Sequence, residues 1–303
     1  MFPANDNFPC TGRGKAGPPQ EKPHRNAQRR RRRILLTFAA LAVSYVLCNW
    51  IGKCRFVTRT YEISDERIYD EVRIALLSDL HASLWGEGQS DLLAAVAEAA
   101  PHAVVLDGDL FNICGSDDNT ITLLSALSTS YDCYFVFGNH EYQSERADEI
   151  RQTVESLGIP VLSGDLAVIT VGETRVQLFG VDDAHGGEQN TIAQLDAAAR
   201  LRDDSLYSIL AIHCPNQVER NLSYGFDLIL SGHTHGGQVR IPGLLNGLYA
   251  PGQGFFPKYG GGRYDFGAQT MIISRGLSKK PYWAPRVFDL PELVVVRLTP
   301  AGG

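Results

Sequence analysis

Between Val72 and Leu298 the chain alternates short apolar runs with amphipathic segments: "VRIALLSD" then "SDLLAAVAEAA", "AVVLDGD" then "ITLLSALS", "CYFVFGNH" then "ADEIRQTVESLG". Near-continuous runs of Val, Ile, Leu and Phe suit strands covered on both faces. The segments between them are long enough for helices of about three turns, so the pattern predicts βαβ units and an α/β fold with buried parallel strands. Further strands are expected in "AVITV", "RVQLFGV", "LYSILAIH", "FDLILSGH", "QTMIISRG" and "ELVVVRL". The first two follow one another without a helix, and so many strands call for two packed sheets flanked by helices. Ile241 to Gly267 reads as a long glycine-rich loop with scattered aromatics, in which "LLNGLY" and "GFFPKY" offer an apolar rim.

Upstream the pattern changes. Residues 1–33 carry Pro, Gly, Asn and basic side chains and end in Arg29–Arg33, the composition of a disordered basic tail. Ile34 to Gly52 is a run of nineteen uncharged residues, which as a helix spans about 30 Å, the thickness of a hydrocarbon layer. A polar linker over 53–71 then leads to the main domain, 72–299. A cleaved signal peptide or a twin-arginine export signal has a similar outline, because Arg32 and Arg33 directly precede the apolar run. No small-x-small cleavage site follows, so the expectation is one retained membrane helix. Basic residues are denser before the run than after it, which places the amino terminus in the cytoplasm and the domain outside.

Charge sharpens that division. Residues 1–60 carry twelve Lys/Arg against two Asp/Glu, net +10, and the formal charge of −6 then leaves −16 for the rest. The arginine run would suit nucleic acid, but because it adjoins the expected membrane span it reads as a contact for anionic lipid, and no nucleic-acid partner is expected. Cys114, Cys133 and Cys214 lie in the domain without metal-type spacing, and parallel strands would hold Cys114 and Cys133 too far apart for a disulfide.

The candidate chemistry sits at the ends of the predicted strands. Asp79 and His81 follow the first, Asp109 the second, Asn139 and His140 end "FGNH", His213 ends "LAIH", and His233 and His235 close "LILSGHTH". Carboxyl ends of strands are where α/β sheets build their sites. In an extended segment His233 and His235 point the same way, while the neighbours Asn139 and His140 point to opposite sides. Carboxylates, an amide and imidazoles without thiolate form a mixed O/N donor set suited to Mn, Fe, Zn, Mg or Co. There are too many donors for one ion, and two ions sharing a carboxylate would absorb them.

The motif series D-x-H, GD, GNHE, H-x-P and GHTHGGQ resembles the calcineurin-like metallophosphoesterases. The resemblance is strongest to bacterial membrane-associated members related to UDP-2,3-diacylglucosamine pyrophosphatases. It implies two divalent ions, one held by Asp79, His81 and His235, the other by Asn139, His213 and His233, with Asp109 bridging. His140 would stand beside the scissile phosphate as charge stabiliser or proton donor. Asn112 follows "GDLF" where purple acid phosphatases have tyrosine, which argues against a ferric-tyrosinate site. The function implied is hydrolysis of phosphomonoesters or diesters by a hydroxide held between the ions, on a phosphorylated small molecule or a lipid-linked envelope substrate. Alternatives are a nucleotide-lipid pyrophosphatase and a non-catalytic, metal-stabilised binding domain. Lys258, Arg263 and Arg275 are candidate cations for substrate attraction.

Overall fold

The computed structural model describes residues 23–241, 243–279 and 286–302. The chain falls into two units, residues 1–44 and 45–303. The first helix is Pro23–Cys54. Residues 23–33, expected to be part of a disordered tail, belong to this helix, and residues 1–22 of that tail lie outside the described residues. The membrane-spanning expectation for Ile34–Gly52 gains no support. Among the described residues no helix is long and apolar enough to cross a membrane.

The second unit holds thirteen strands among the described residues: β1 (Val57–Asp65), β2 (Val72–Leu77), β3 (Ala103–Asp107), β4 (Asp132–Val136), β5 (Leu166–Val171), β6 (Thr174–Val181), β7 (Tyr207–Ile212), β8 (Leu228–Ser231), β9 (Tyr249–Ala250), β10 (Gly254–Phe255), β11 (Gly262–Phe266), β12 (Gln269–Ile273) and β13 (Glu292–Pro300). One sheet has the order β1-β13-β2-β3-β4 and the other β11-β12-β8-β7-β6-β5, with β9 and β10 as a separate hairpin. The predicted α/β class and the two sheets are both present. Nearly half of the linker expected over 53–71 is a strand: β1 pairs in parallel with β13 from Val57 to Asp65. Its alternation is weak because only Ile63 along it is buried. Such an edge strand carries little of the apolar signal that marks a central one.

The sheets pack face to face. Ile74, Leu76, Val105, Leu178, Ile209, Ala211, Leu228 and Leu230 are among the buried side chains of the layer between them. Leu92, Leu124 and Val154, from the helices Ser90–Ala99, Asp118–Ser128 and Ala147–Ser156, cover the outside of the first sheet. Leu195 and Val218 cover the second. Strands buried on both faces explain the near-continuous apolar runs. The parallel trio β2, β3, β4 and the parallel pair β7, β8 each deliver their carboxyl ends toward the site.

Leu230 is fully buried in the central layer, whereas Leu244 is 82% exposed. Leu230→Ala is expected to cost about 2–5 kcal/mol in urea unfolding through the cavity it leaves. Leu244→Ala should stay within about 0.5 kcal/mol of wild type, since exposed substitutions seldom do more.

Candidate metal centre

Five strand ends bring the predicted residues together. Asp79 and His81 follow β2, Asp109 follows β3, Asn139 follows β4, His213 follows β7, and His233 and His235 follow β8. Three overlapping groups place one donor atom per residue within 4.8 Å of each other: Asp79, His81 and His235; Asp109, His213 and His233; and His81, Asp109 and His140. Asn139 joins them, its Oδ1 being 2.7 Å from His233 Nδ1. All eight predicted side chains therefore converge.

The backbone bends sharply to achieve this. Asp79, His81, Asp109, His233 and His235 all have φ between 46° and 69°, the left-handed region that costs non-glycine residues of order 1–3 kcal/mol. His233 and His235 are thus aimed by a turn running into a 3-10 helix, His235–Gly237, and the strand-like i, i+2 alternation expected from the sequence is absent. Asn139 and His140 open a short helix, Asn139–Gln143, so they do not point to opposite sides as an extended segment would. His140 donates its backbone N–H to Asp109 Oδ1 at 2.8 Å, with its Nε2 3.8 Å from Asp109 Oδ2.

The spacing of the donor atoms has a chemical reading. His213 Nε2 lies 3.3 Å from Asp109 Oδ2 and 3.8 Å from Asp79 Oδ1. His235 Nε2 lies 3.6 Å from Asp79 Oδ1 and 3.4 Å from His81 Nε2. Ligands bonded at about 2.1 Å and separated by 90–120° sit ~3.0–3.6 Å apart, so all but the 3.8 Å His213–Asp79 distance are separations of neighbouring ligands around an ion. His213 supplies the test of fit. Its Nδ1 is 2.7 Å from the carbonyl of Asp107, which makes Nδ1 the donor and leaves the Nε2 lone pair facing the carboxylates. That Nε2 is buried without a hydrogen-bond partner. A cation satisfies it, and the donor set suits a borderline divalent metal.

Electrostatics agree. Burial, with the neighbouring imidazoles, holds His81 down to about 3 despite Asp109, and burial with His213 holds His233 down to about 4. Both are neutral at pH 7, the form in which an imidazole can hold a metal. His213 behaves oppositely: burial opposes its charge, yet Asp109, Asp79 and Asp107 raise it well above the usual imidazole range. Positive charge is therefore favoured between His213 and the carboxylates. Asp107 is pushed up to about 8 by burial, against the influence of His213.

Two supporting residues escaped the sequence reading. Glu141 is fully buried, and its carboxylate accepts the backbone N–H groups of Asp109 (2.8 Å), Leu110 (3.0 Å), Phe111 (3.2 Å) and Gly138 (2.9 Å). It ties the loop bearing Asp109 to the loop bearing Asn139. The only signal was its place in "GNHE", where it read as one more polar residue after a strand. Gly108 is the other: a Cβ there would lie 2.5 Å from Gly138 N and 2.7 Å from His213 Nδ1. The three candidate substrate cations are engaged elsewhere. Lys258 sits over the Tyr259 ring, Arg263 pairs with Asp265, and Arg275 faces Asp289 and Glu292. None lines the pocket in front of the imidazoles, a space of about 320 Å³ bounded by His81, His140, His235, Asn112, Ile113, Cys114 and Ser278.

The sequence from residue 72 to 237, more than half of the chain, matches the model of the calcineurin-like phosphoesterases. The chain belongs to that family. As a member it is a metal-dependent phosphoric ester hydrolase, and the residues gathered here are its candidate metal-binding groups. Among the relatives of this metallophosphoesterase, phosphodiesterase YaeI of Escherichia coli is 29% identical over 75% of this chain and 82% of its own length. The uncharacterised metallophosphoesterase YkuE of Bacillus subtilis is 25% identical over 76% of this chain and 80% of its own. A solved dimetal phosphatase from Danio rerio superposes with a TM-score of 0.44 at 15% identity, covering 70% of this chain and 90% of that one.

Two outcomes are expected. Between pH 6.5 and about 4 the unfolded metallophosphoesterase binds protons at His81 and His233 that the native, chelated protein excludes. Each histidine alone lowers stability as pH falls, by up to about 1.4 kcal/mol per unit, while Asp107, protonated in the native state below about 8, raises it over the same window. Asp107→Asn removes the opposing group, so its urea midpoint should drop more between pH 7 and 5 than that of wild type, and equal changes would contradict this. Glu141→Gln places an amide N–H against backbone donors and is expected to lower stability by about 2–4 kcal/mol. Metal content should fall with it, read by thermal unfolding and elemental analysis.

Proposed function

We propose that this metallophosphoesterase hydrolyses phosphodiesters at a centre of two divalent ions. Asp79, His81 and His235 would hold one ion, Asn139, His213 and His233 the other, and Asp109 would bridge them. What supports the reading most is the position of Asp109. Its Oδ2 lies within 3.8 Å of nitrogens of His81, His140 and His213, so one carboxylate belongs to both donor groups. When bound, the ions supply Lewis acidity toward the phosphoryl oxygens and a nucleophile at neutral pH.

The chain's own groups account for the rest. His81, His235 and His140 open onto the same 320 Å³ pocket, so a phosphoryl group entering it meets both donors and His140 at once. As a water oxygen adds to phosphorus and the P–O bond to the leaving alcohol breaks, His140 would give a proton to the departing oxygen. Asp109, which accepts the His140 backbone N–H, would hold that residue in place. Among the described residues no Lys or Arg lines the pocket. A dianionic monoester would leave a charge uncompensated there, whereas a monoanionic diester would not, and the Escherichia coli relative is named a phosphodiesterase. Bis(p-nitrophenyl) phosphate should therefore exceed p-nitrophenyl phosphate in kcat/KM by on the order of tenfold, about 1.4 kcal/mol. The reverse order would make the enzyme a monoesterase.

Two variants test the assignment. Asp109→Ala should lose activity and bound metal together, because removing a shared ligand weakens both sites. Elemental analysis finding two full equivalents in that variant would sink the bridging role. His140→Ala should keep its metal and lose about 10²–10⁴ in rate, the range for a positioned acid. The loss should be larger for alkyl than for nitrophenyl leaving groups, which depart without protonation. A metal-free His140→Ala protein would make His140 a ligand.

A further inference from the structure

A second concavity lies behind His235 and shares no lining residue with the metal pocket. It encloses about 590 Å³ and is lined by three arginines, Arg59, Arg240 and Arg275, and by Ile241, Leu244 and Phe288 among others. In a domain carrying −16, the concentration of guanidinium here is unusual. Arg286, buried beneath, donates to the Arg275 carbonyl at 2.8 Å and brings the total to four.

The carboxylates do not match them. Glu292 faces Arg59 at 3.1 Å and Arg275 at 3.5 Å, while Asp289 faces Arg275 at 3.8 Å and Arg286 at 3.6 Å. Two acids thus pair with three of the four guanidiniums. Arg240 is left without a carboxylate within ion-pair distance among the described residues. Its partners are the carbonyls of Gly236 (3.2 Å) and Gly261 (3.5 Å) and the side-chain oxygen of Asn246. Burial and then the Arg275 guanidinium pull Arg240 below its usual range, against the more distant Asp289 and Glu292. Burying a cation with only neutral partners is costly, and an anion offsets that cost. The other wall is apolar and open to solvent: Leu244 is 82% exposed and Phe288 68%.

We propose that this pocket is a second ligand site that takes the headgroup of an anionic amphiphile, a phosphoryl or phosphonyl group gripped by Arg240 and Arg59 with its apolar tail laid against Ile241, Leu244 and Phe288. The planar forks of guanidinium match such oxyanions two bonds at a time. A free phosphate would use the arginines alone, whereas an amphiphile also uses the apolar wall. The site is separate from the reaction at the metal centre and stands whether that centre prefers monoesters or diesters.

The test is calorimetric titration of the full, metal-loaded chain with n-octylphosphonate and methylphosphonate, whose C–P bonds a phosphoesterase does not cleave. Octylphosphonate is expected to bind at least about tenfold more tightly than methylphosphonate, since several methylenes leave water. Arg240→Gln should weaken octylphosphonate by on the order of tenfold, the value of a lost charge-assisted hydrogen bond. An affinity within about twofold of wild type would place the headgroup elsewhere, at the metal centre or on the basic tail, and overturn the proposal. Equal affinity of wild type for the two phosphonates would mean that free phosphate is the ligand and would overturn it too. Leu244→Ser lies at an exposed position that folding does not need, so it carries the test if Arg240→Gln does not fold. It should reduce the preference for the octyl chain about threefold, and an unchanged preference would remove the tail from this wall.

Discussion

Asp109 Oδ2 stands within 3.8 Å of three imidazole nitrogens, and His213 Nε2 faces it at 3.3 Å with its lone pair forward. Lone pairs at that distance repel unless a proton on Nε2 or a metal cation lies between them, and in a buried site little water is available to relieve the repulsion. Asp79, Asp109 and Glu141 are buried around this point, and burial keeps Asp107 beside them protonated at neutral pH. Two unit charges ~4 Å apart interact by about 4 kcal/mol at an effective dielectric of 20, so gathering them strains the fold. On the proposed reading, two divalent ions neutralise that charge, and metal and native structure support each other.

The scaffold resists the same repulsion mechanically. The donors sit just past strand ends, where sheet pairing holds the chain up to the turn and leaves the turn free to adopt left-handed angles. Glu141 then ties two of these turns through four N–H donors. The His213 imidazole is oriented by a carbonyl of the facing sheet, Asp107 O. Each sheet thus orients groups of the other, and the inter-sheet layer around Leu228 and Leu230 is as much a part of the centre as its ligands.

Charge is divided in the same way. The pocket before the imidazoles is lined by no Lys or Arg among the described residues, and its positive charge would come from the ions. The larger pocket behind His235 carries a surplus of guanidinium. An acidic domain can therefore present two local sites for anions without a basic surface, because short-range fields in partly buried pockets outweigh a screened net charge.

Much of this was legible along the chain. Apolar runs with both faces covered marked β2, β3, β4, β7 and β8, and polar residues at their ends marked every candidate ligand, because strand burial and sheet-edge chemistry both leave local patterns. Strand β1 was not legible, since an edge strand with only Ile63 buried has almost no pattern to read. Nor was the convergence of His233 and His235, which depends on turn angles that local alternation does not encode. The role of Glu141 emerged only in three dimensions, because its four donors come from residues up to 32 positions away and a carboxylate's partners are not written beside it. The sequence by itself determined which groups could ligate a metal and on which strands they ride. The tertiary structure decided which of them face one another and that Arg240 and Arg275 serve a separate pocket, because pairing between distant segments sets distance and burial, and those set charge.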